Sequence, residues 1–147
     1  MSAPRLFTIG FTRTSAEHFF GRLQAAGVRE VLDVRLNNVS QLAGFAKKTD
    51  LEWFLRRIAS IGYRHAPELA PTSELLAVLR SEEIDWTRYE ERFRKLMVER
   101  RIEDRWTPAQ IDRTCLLCAE PGAEQCHRRL VAEHLQRRFT DLEVRHL

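Results

Sequence analysis

The sequence predicts an α/β fold: a single domain with a mostly parallel sheet covered by helices on both faces. Three observations carry that expectation. Short apolar runs of strand length alternate along the chain with stretches of helical periodicity. The 147 residues suit one domain, and 44% apolar content supplies an ordinary core without a disulfide or metal staple. No repeat, low-complexity segment or long linker divides the chain, so residues 1–147 read as one unit.

The elements follow in order. Leu6-Phe7-Thr8-Ile9 is a first strand closed by Gly10, where a tight turn needs a residue without Cβ. Ser15 is a good N-cap for a helix that carries Phe19, Phe20 and Leu23 on one face and stops at Gly27. Glu30–Arg35 is a compact strand rich in β-branched and apolar residues, and Asn37-Asn38 punctuates it. An irregular stretch runs to Lys48. Asp50 then caps a second helix with Leu51, Phe54, Leu55, Ile58 and Ile61 inward, ended by Gly62. Tyr63-Arg64-His65 is a short strand, Pro67 and Pro71 bracket a loop, and helices lie around Ser73–Arg80 and Asp85–Ile102. Trp53, Trp86 and Tyr89 sit at helical spacing among apolar residues and read as core. Thr114–Ala119 is a buried strand, Pro121-Gly122 a turn, and Glu124–Phe139 a last amphipathic helix. Leu142–Arg145 is a closing strand. His18, His134 and His146 fall on helices or the tail and read as surface.

Composition excludes several classes. No basic start followed by a continuous apolar run marks a signal peptide, and no apolar run approaches the roughly 20 residues of a membrane span. Three cysteines, an odd number, fit free thiols in a reducing, cytoplasmic setting. A net charge of +3 arises from 24 basic and 21 acidic residues of mixed order, compatible with an anionic ligand but short of a one-signed nucleic-acid patch.

In parallel α/β sheets ligands bind beyond the C-terminal strand ends. That rule nominates four loops: Gly10–Ser15, Arg35–Thr49, His65–Thr72 and Glu120–Cys126. The last is richest. A helix starting near Glu124–Cys126 turns its free N–H groups toward the sheet edge, and Arg128 on its first turn offers a forked donor pair to an anion. Cys126, at such a terminus beside His127 and Arg128, is a candidate thiolate. The plainer reading makes Cys126 a packing residue and Arg128 a cap. Cys115-x-x-Cys118 with Cys126-His127 invites a zinc site, but residues three apart on a strand face opposite sides, so no metal is expected. Asp33 and Arg35 share a strand face, either facing a ligand or paired to anchor the next loop. Around the first turn, Thr12, Arg13, Thr14 and Ser15 offer hydroxyls and a guanidinium. Neither G-x-x-x-x-G-K-[ST] nor G-x-G-x-x-G occurs, and no cofactor is expected. Ser40, Phe45 and Tyr63 complete the candidate lining.

Thr8-Ile9-Gly10, Leu32-Asp33-Val34-Arg35, Tyr63 after a Gly, Pro67-Glu68-Leu69-Ala70-Pro71, Asp85-Trp86-x-x-Tyr89, and Leu117-Cys118-Ala119-Glu120 followed by Cys126-His127-Arg128 run in this order. Together they resemble the family catalogued as domain of unknown function number 488, over roughly Leu6 to Leu135. The resemblance implies a compact α/β fold of bacterial and archaeal cytosolic proteins with those polar motifs around one site. It implies no activity.

The resulting expectation is an enzyme-like domain that binds a small anionic, phosphate- or nucleotide-containing ligand in a polar cleft. Gly10, Arg13, Arg35, Ser40, Tyr63 and Arg128 would contact the ligand, and Asp33, Glu120, Cys126 and His127 would supply acid, base or nucleophile. The alternative is a nucleic-acid-binding or regulatory module using the arginines of 88–105 and 128–138. No membrane partner is expected, and the sequence does not specify an oligomeric state.

Overall fold

A computed structural model describes residues 3–37, 44–120 and 122–147. Its centre is a five-stranded sheet of β1 (Arg5–Gly10), β2 (Glu30–Asp33), β3 (Gly62–His65), β4 (Thr114–Cys118) and β5 (Glu143–His146), in the order β3-β2-β4-β1-β5. Every pairing is parallel, with Ile9 opposite Leu117 and Asp33 opposite both Leu117 and His65. Residues of β4 are all buried, as the central strand of a sheet covered on both faces requires.

The period of two divides the core. Leu6, Leu32, Val34, Leu116 and Cys118 pack on one face with α4 (Trp86–Arg100) and α6 (His127–Arg138). Phe7, Ile9, Val31, Cys115 and Leu117 pack on the other with α1 (Ala16–Ala26) and α2 (Lys48–Phe54). The remaining helices are α3 (Ser73–Arg80) and the single turn α5 (Pro108–Ile111), the latter not anticipated.

Local signals set several boundaries. The Ser15 side chain accepts from the His18 N–H, Asp85 from Arg88 and Thr72 from Leu75, each capping a helix. Gly27 ends α1 in the left-handed region at φ 74°, with open space where a Cβ would sit. Gly27→Ala should therefore cost about 1 kcal/mol through backbone strain alone. A lower urea midpoint at unchanged slope would register it.

Other expectations need correction. The second helix starts at Lys48 rather than at an Asp50 cap, and Asp50 lies in its first turn. It continues into a π-helical stretch, Leu55–Ala59, and ends at Ser60 in the left-handed region, while Gly62 begins β3. Ile58, within that wider turn, faces outward and is 49% exposed instead of inward. Trp53 is 51% exposed, with the Arg57 guanidinium over its ring, and is not core. The last helix begins only at His127. His134 is largely buried, its Nε2 lying 2.7 Å from Glu103 Oε2. No helix among the described residues is long and apolar enough to cross a membrane.

Candidate functional site

Because all five strands are parallel, the loops after Gly10, Asp33, His65 and Cys118 leave from one edge of the sheet. Backbone bonds knit them together. Thr12 donates its N–H (3.1 Å) and its hydroxyl (2.6 Å) to the Ala119 carbonyl, and Val34 N–H donates to Leu117 at 3.1 Å. Between this edge and the α3–α4 pair lies a cleft of about 480 Å³. Phe11, Arg35, Leu36 and Asn37 form one wall, and Leu76, Leu79, Arg80, Trp86 and Tyr89 the other. Cys118, Ala119, Glu120, Gln125, Cys126 and His127 complete it. Trp86 stacks on buried Tyr89 with ring centroids 5.0 Å apart and planes at 27°. Burial pushes the Tyr89 hydroxyl well above the usual phenol range, so it stays neutral.

Asp33 and Arg35 form one buried unit beside the cleft. The Asp33 carboxylate, fully buried, accepts from the Arg35 backbone N–H (3.2 Å), Nε (2.8 Å) and Nη2 (2.8 Å) and from the Tyr63 hydroxyl (2.5 Å). Arg35 Nη2 also donates to the Ala46 carbonyl at 2.6 Å, and the guanidinium lies 4.9 Å from the Phe11 ring centroid. The pair thereby ties the segment at Gly44–Ala46 to the end of β2. With four donors on two oxygens, Asp33 has little lone-pair capacity left for a substrate proton.

The second unit is a sulfur–imidazole cluster. Cys118 ends β4, Cys126 is the N-cap of α6, and His127 is its first residue; all three are buried. His127 Nε2 lies 2.7 Å from the Val34 carbonyl, an oxygen that can only accept, so Nε2 carries the proton. Cys118 Sγ lies beside the imidazole, 3.6 Å from Nδ1 and 3.9 Å from Nε2. The ligand atoms of Cys118, Cys126 and His127 all fall within 4.8 Å of one another. A hydrogen bond from Cys126, helped by the Ala119 and Glu120 amides and the Arg128 charge, holds the Cys118 thiol below its usual range despite burial. The same bond and burial push Cys126 up. Arg128 is 1% exposed, and its Nη1 donates to the Glu120 carbonyl (2.6 Å) and meets Cys126 Sγ at 3.4 Å.

A family model described as "Domain of unknown function DUF488" matches residues 15–135. The chain belongs to the DUF488 family. No curated protein and no solved structure matches it. The matched span holds both units, so the cleft is built almost wholly from the DUF488 region.

Of the residues singled out in this DUF488 chain, Arg35, Glu120, Cys126 and His127 line the cleft. Asp33 sits under Arg35. Tyr63 holds the Asp33 carboxylate from the neighbouring strand and is not among the described lining residues. Arg128 is likewise not among them, lying beneath the loop it binds. Gly10 and Arg13 border a separate shallow depression with Ser15, His18 and Arg22. Ser40 lies outside the described residues. Arg80 and Trp86 line the cleft without having been singled out as site candidates, and Cys118 lines it although weighed only as a metal ligand. Cys118 was set aside because Cys115 faces the opposite side of β4, and the two do pack in different core clusters. The overlooked signal was its position as the last residue of the central strand.

Proposed function

We propose that the cleft binds a small anionic ligand carrying a flat ring, a phosphate- or nucleotide-like molecule, and that the chain acts on it as an enzyme. One observation carries the reading: the same cleft joins an aromatic stack, Trp86 on Tyr89, to the guanidinium groups of Arg80 and Arg35 and to the buried Cys118–Cys126–His127 cluster. A flat ring gains stacking on Trp86, and the anion gains charged hydrogen bonds. Arg80 is exposed at the end of α3, and no carboxylate among the described residues pairs with it. Arg35 adds a guanidinium whose Nη1 has no acceptor among the described residues.

The alternative, a nucleic-acid surface on the later helices, has less support. Arg94 and Arg129 are held by Glu90 and Glu133, Arg101 and Arg138 by Asp104, and Arg128 is buried.

A thermal-shift screen of phosphates, nucleotides and related metabolites tests the reading. At a hundred times Kd a true ligand stabilises by about 2.7 kcal/mol, several degrees for a domain of this size. Arg80→Ala should leave unliganded melting within about 0.5 kcal/mol, since the side chain is exposed. It should weaken the ligand roughly 10- to 100-fold, the equivalent of one charged hydrogen bond. A wild type that responds to no phosphate compound would remove the anionic ligand.

A further inference from the structure

We infer that Cys118, Cys126 and His127 form a three-ligand site for a zinc-class divalent metal whose fourth position opens into the cleft. This goes beyond ligand binding in the cleft and does not depend on it.

The donor set is the first argument. Two cysteine sulfurs and one imidazole nitrogen suit a borderline-soft metal, and three protein ligands with one open position is the pattern of catalytic rather than structural zinc. Geometry is the second. Zinc bonds of about 2.3 Å to sulfur and 2.0–2.1 Å to nitrogen at a tetrahedral angle place a sulfur and a nitrogen ligand about 3.6 Å apart. Cys118 Sγ stands 3.6 Å from His127 Nδ1 and 3.9 Å from Nε2, beside the ring rather than along the Nδ1 lone pair, and all three ligand atoms lie within 4.8 Å. Side-chain rotation of Cys118 onto the Nδ1 side, with closure of Cys126, completes the set.

The surrounding groups are the third. A metal-bound histidine needs its other nitrogen protonated and held by an acceptor, and the Val34 carbonyl does this to Nε2 at 2.7 Å, leaving Nδ1 for the metal. Arg128 Nη1, 3.4 Å from Cys126 Sγ, is placed to donate to a metal-bound thiolate. Two thiolates would balance a divalent charge, so the centre can remain inside the domain, where uncompensated ions are costly. All three ligands line the cleft, so a water or an anionic oxygen of the bound molecule has access to the fourth position. The earlier expectation of no metal rested on Cys115, which packs on the far face of β4 and takes no part.

The test uses the full chain, purified reduced and metal-free, then titrated with Zn²⁺ and separately with Co²⁺. One Zn²⁺ per chain is expected, and Co²⁺ should give thiolate-to-metal charge-transfer absorption with tetrahedral d–d bands. Cys118→Ser, Cys126→Ser and His127→Ala should each weaken binding by about 100-fold or more, while Cys115→Ser should bind as wild type. The wild-type Co²⁺ spectrum decides the matter even where a variant folds poorly. No stoichiometric metal in the wild type, a cobalt spectrum without sulfur charge transfer, or equal losses in Cys115→Ser and Cys118→Ser would each overturn the site. Phosphate responses measured on the same samples report the proposed function separately.

Discussion

Asp33→Ala should destabilise the unliganded protein by about 3–5 kcal/mol, the usual result of removing one partner of a buried ion pair. The substitution leaves the Arg35 guanidinium, 4% exposed, without its carboxylate, and removes the Asp33 oxygen that accepts from the Tyr63 hydroxyl. It also frees the tie from the end of β2 to Ala46. Against the 5–15 kcal/mol of a typical domain that is a large fraction. Replacing both partners by apolar residues of similar size, Asp33→Leu with Arg35→Met, should recover most of the loss, because no buried charge is then stranded. Urea unfolding of the two variants checks both statements. A loss below about 1 kcal/mol in Asp33→Ala would mean that the pair does not anchor the loop. A double variant as unstable as the single one would place the energy elsewhere.

Arg128→Ala should lower the melting temperature with no ligand present, by about 10 °C for a loss of about 3 kcal/mol. The guanidinium is 1% exposed, donates to the Glu120 carbonyl at 2.6 Å and meets Cys126 Sγ. Removing it unclamps the loop between β4 and α6 and opens a cavity beneath the cleft. A ligand contact by Arg128, as its place on the first turn of the last helix suggests, would give the opposite result, a weaker phosphate response at nearly intact stability. Arg128→Lys should restore little, since an ammonium does not reproduce the fork. Differential scanning calorimetry with and without phosphate separates the readings. Unchanged unliganded melting with a lost phosphate response would return Arg128 to the ligand.

Much of the architecture was legible because its causes are local. The Ser15 and Asp85 caps, the Gly27 stop and the alternation in β1 and β2 each depend on residues within a few positions of one another. The parallel sheet followed from the alternation of strands and helices, and with it the edge where the cleft lies. Where local reasoning failed, a non-local or irregular feature had intervened. Ile58 lies outward within the π-helical stretch Leu55–Ala59, and no side-chain pattern announces such a stretch. Tertiary packing drew His134 inward to Glu103.

The site divides in the same way. The sequence by itself determined that Asp33 and Arg35 share a strand face, that Arg128 lies on the first turn of α6, and that Cys126 and His127 stand at that helix's start. It could weigh His127 only against its neighbour Cys126, and adjacent helical positions diverge by about 100°. The tertiary structure decided that His127 meets Cys118 instead, nine residues back, and that its tautomer is set by the carbonyl of Val34, 93 residues away. It also decided that Arg128 faces the interior and that Arg80 and Trp86 border the cleft. The reason is physical. Caps and alternation are set by the energies of neighbouring residues, whereas the pairing of β2 with β4 and the seating of α6 on the sheet are set by burial summed over the whole core, and only that sum brings the Val34 carbonyl, the Cys118 sulfur and the His127 ring to one point.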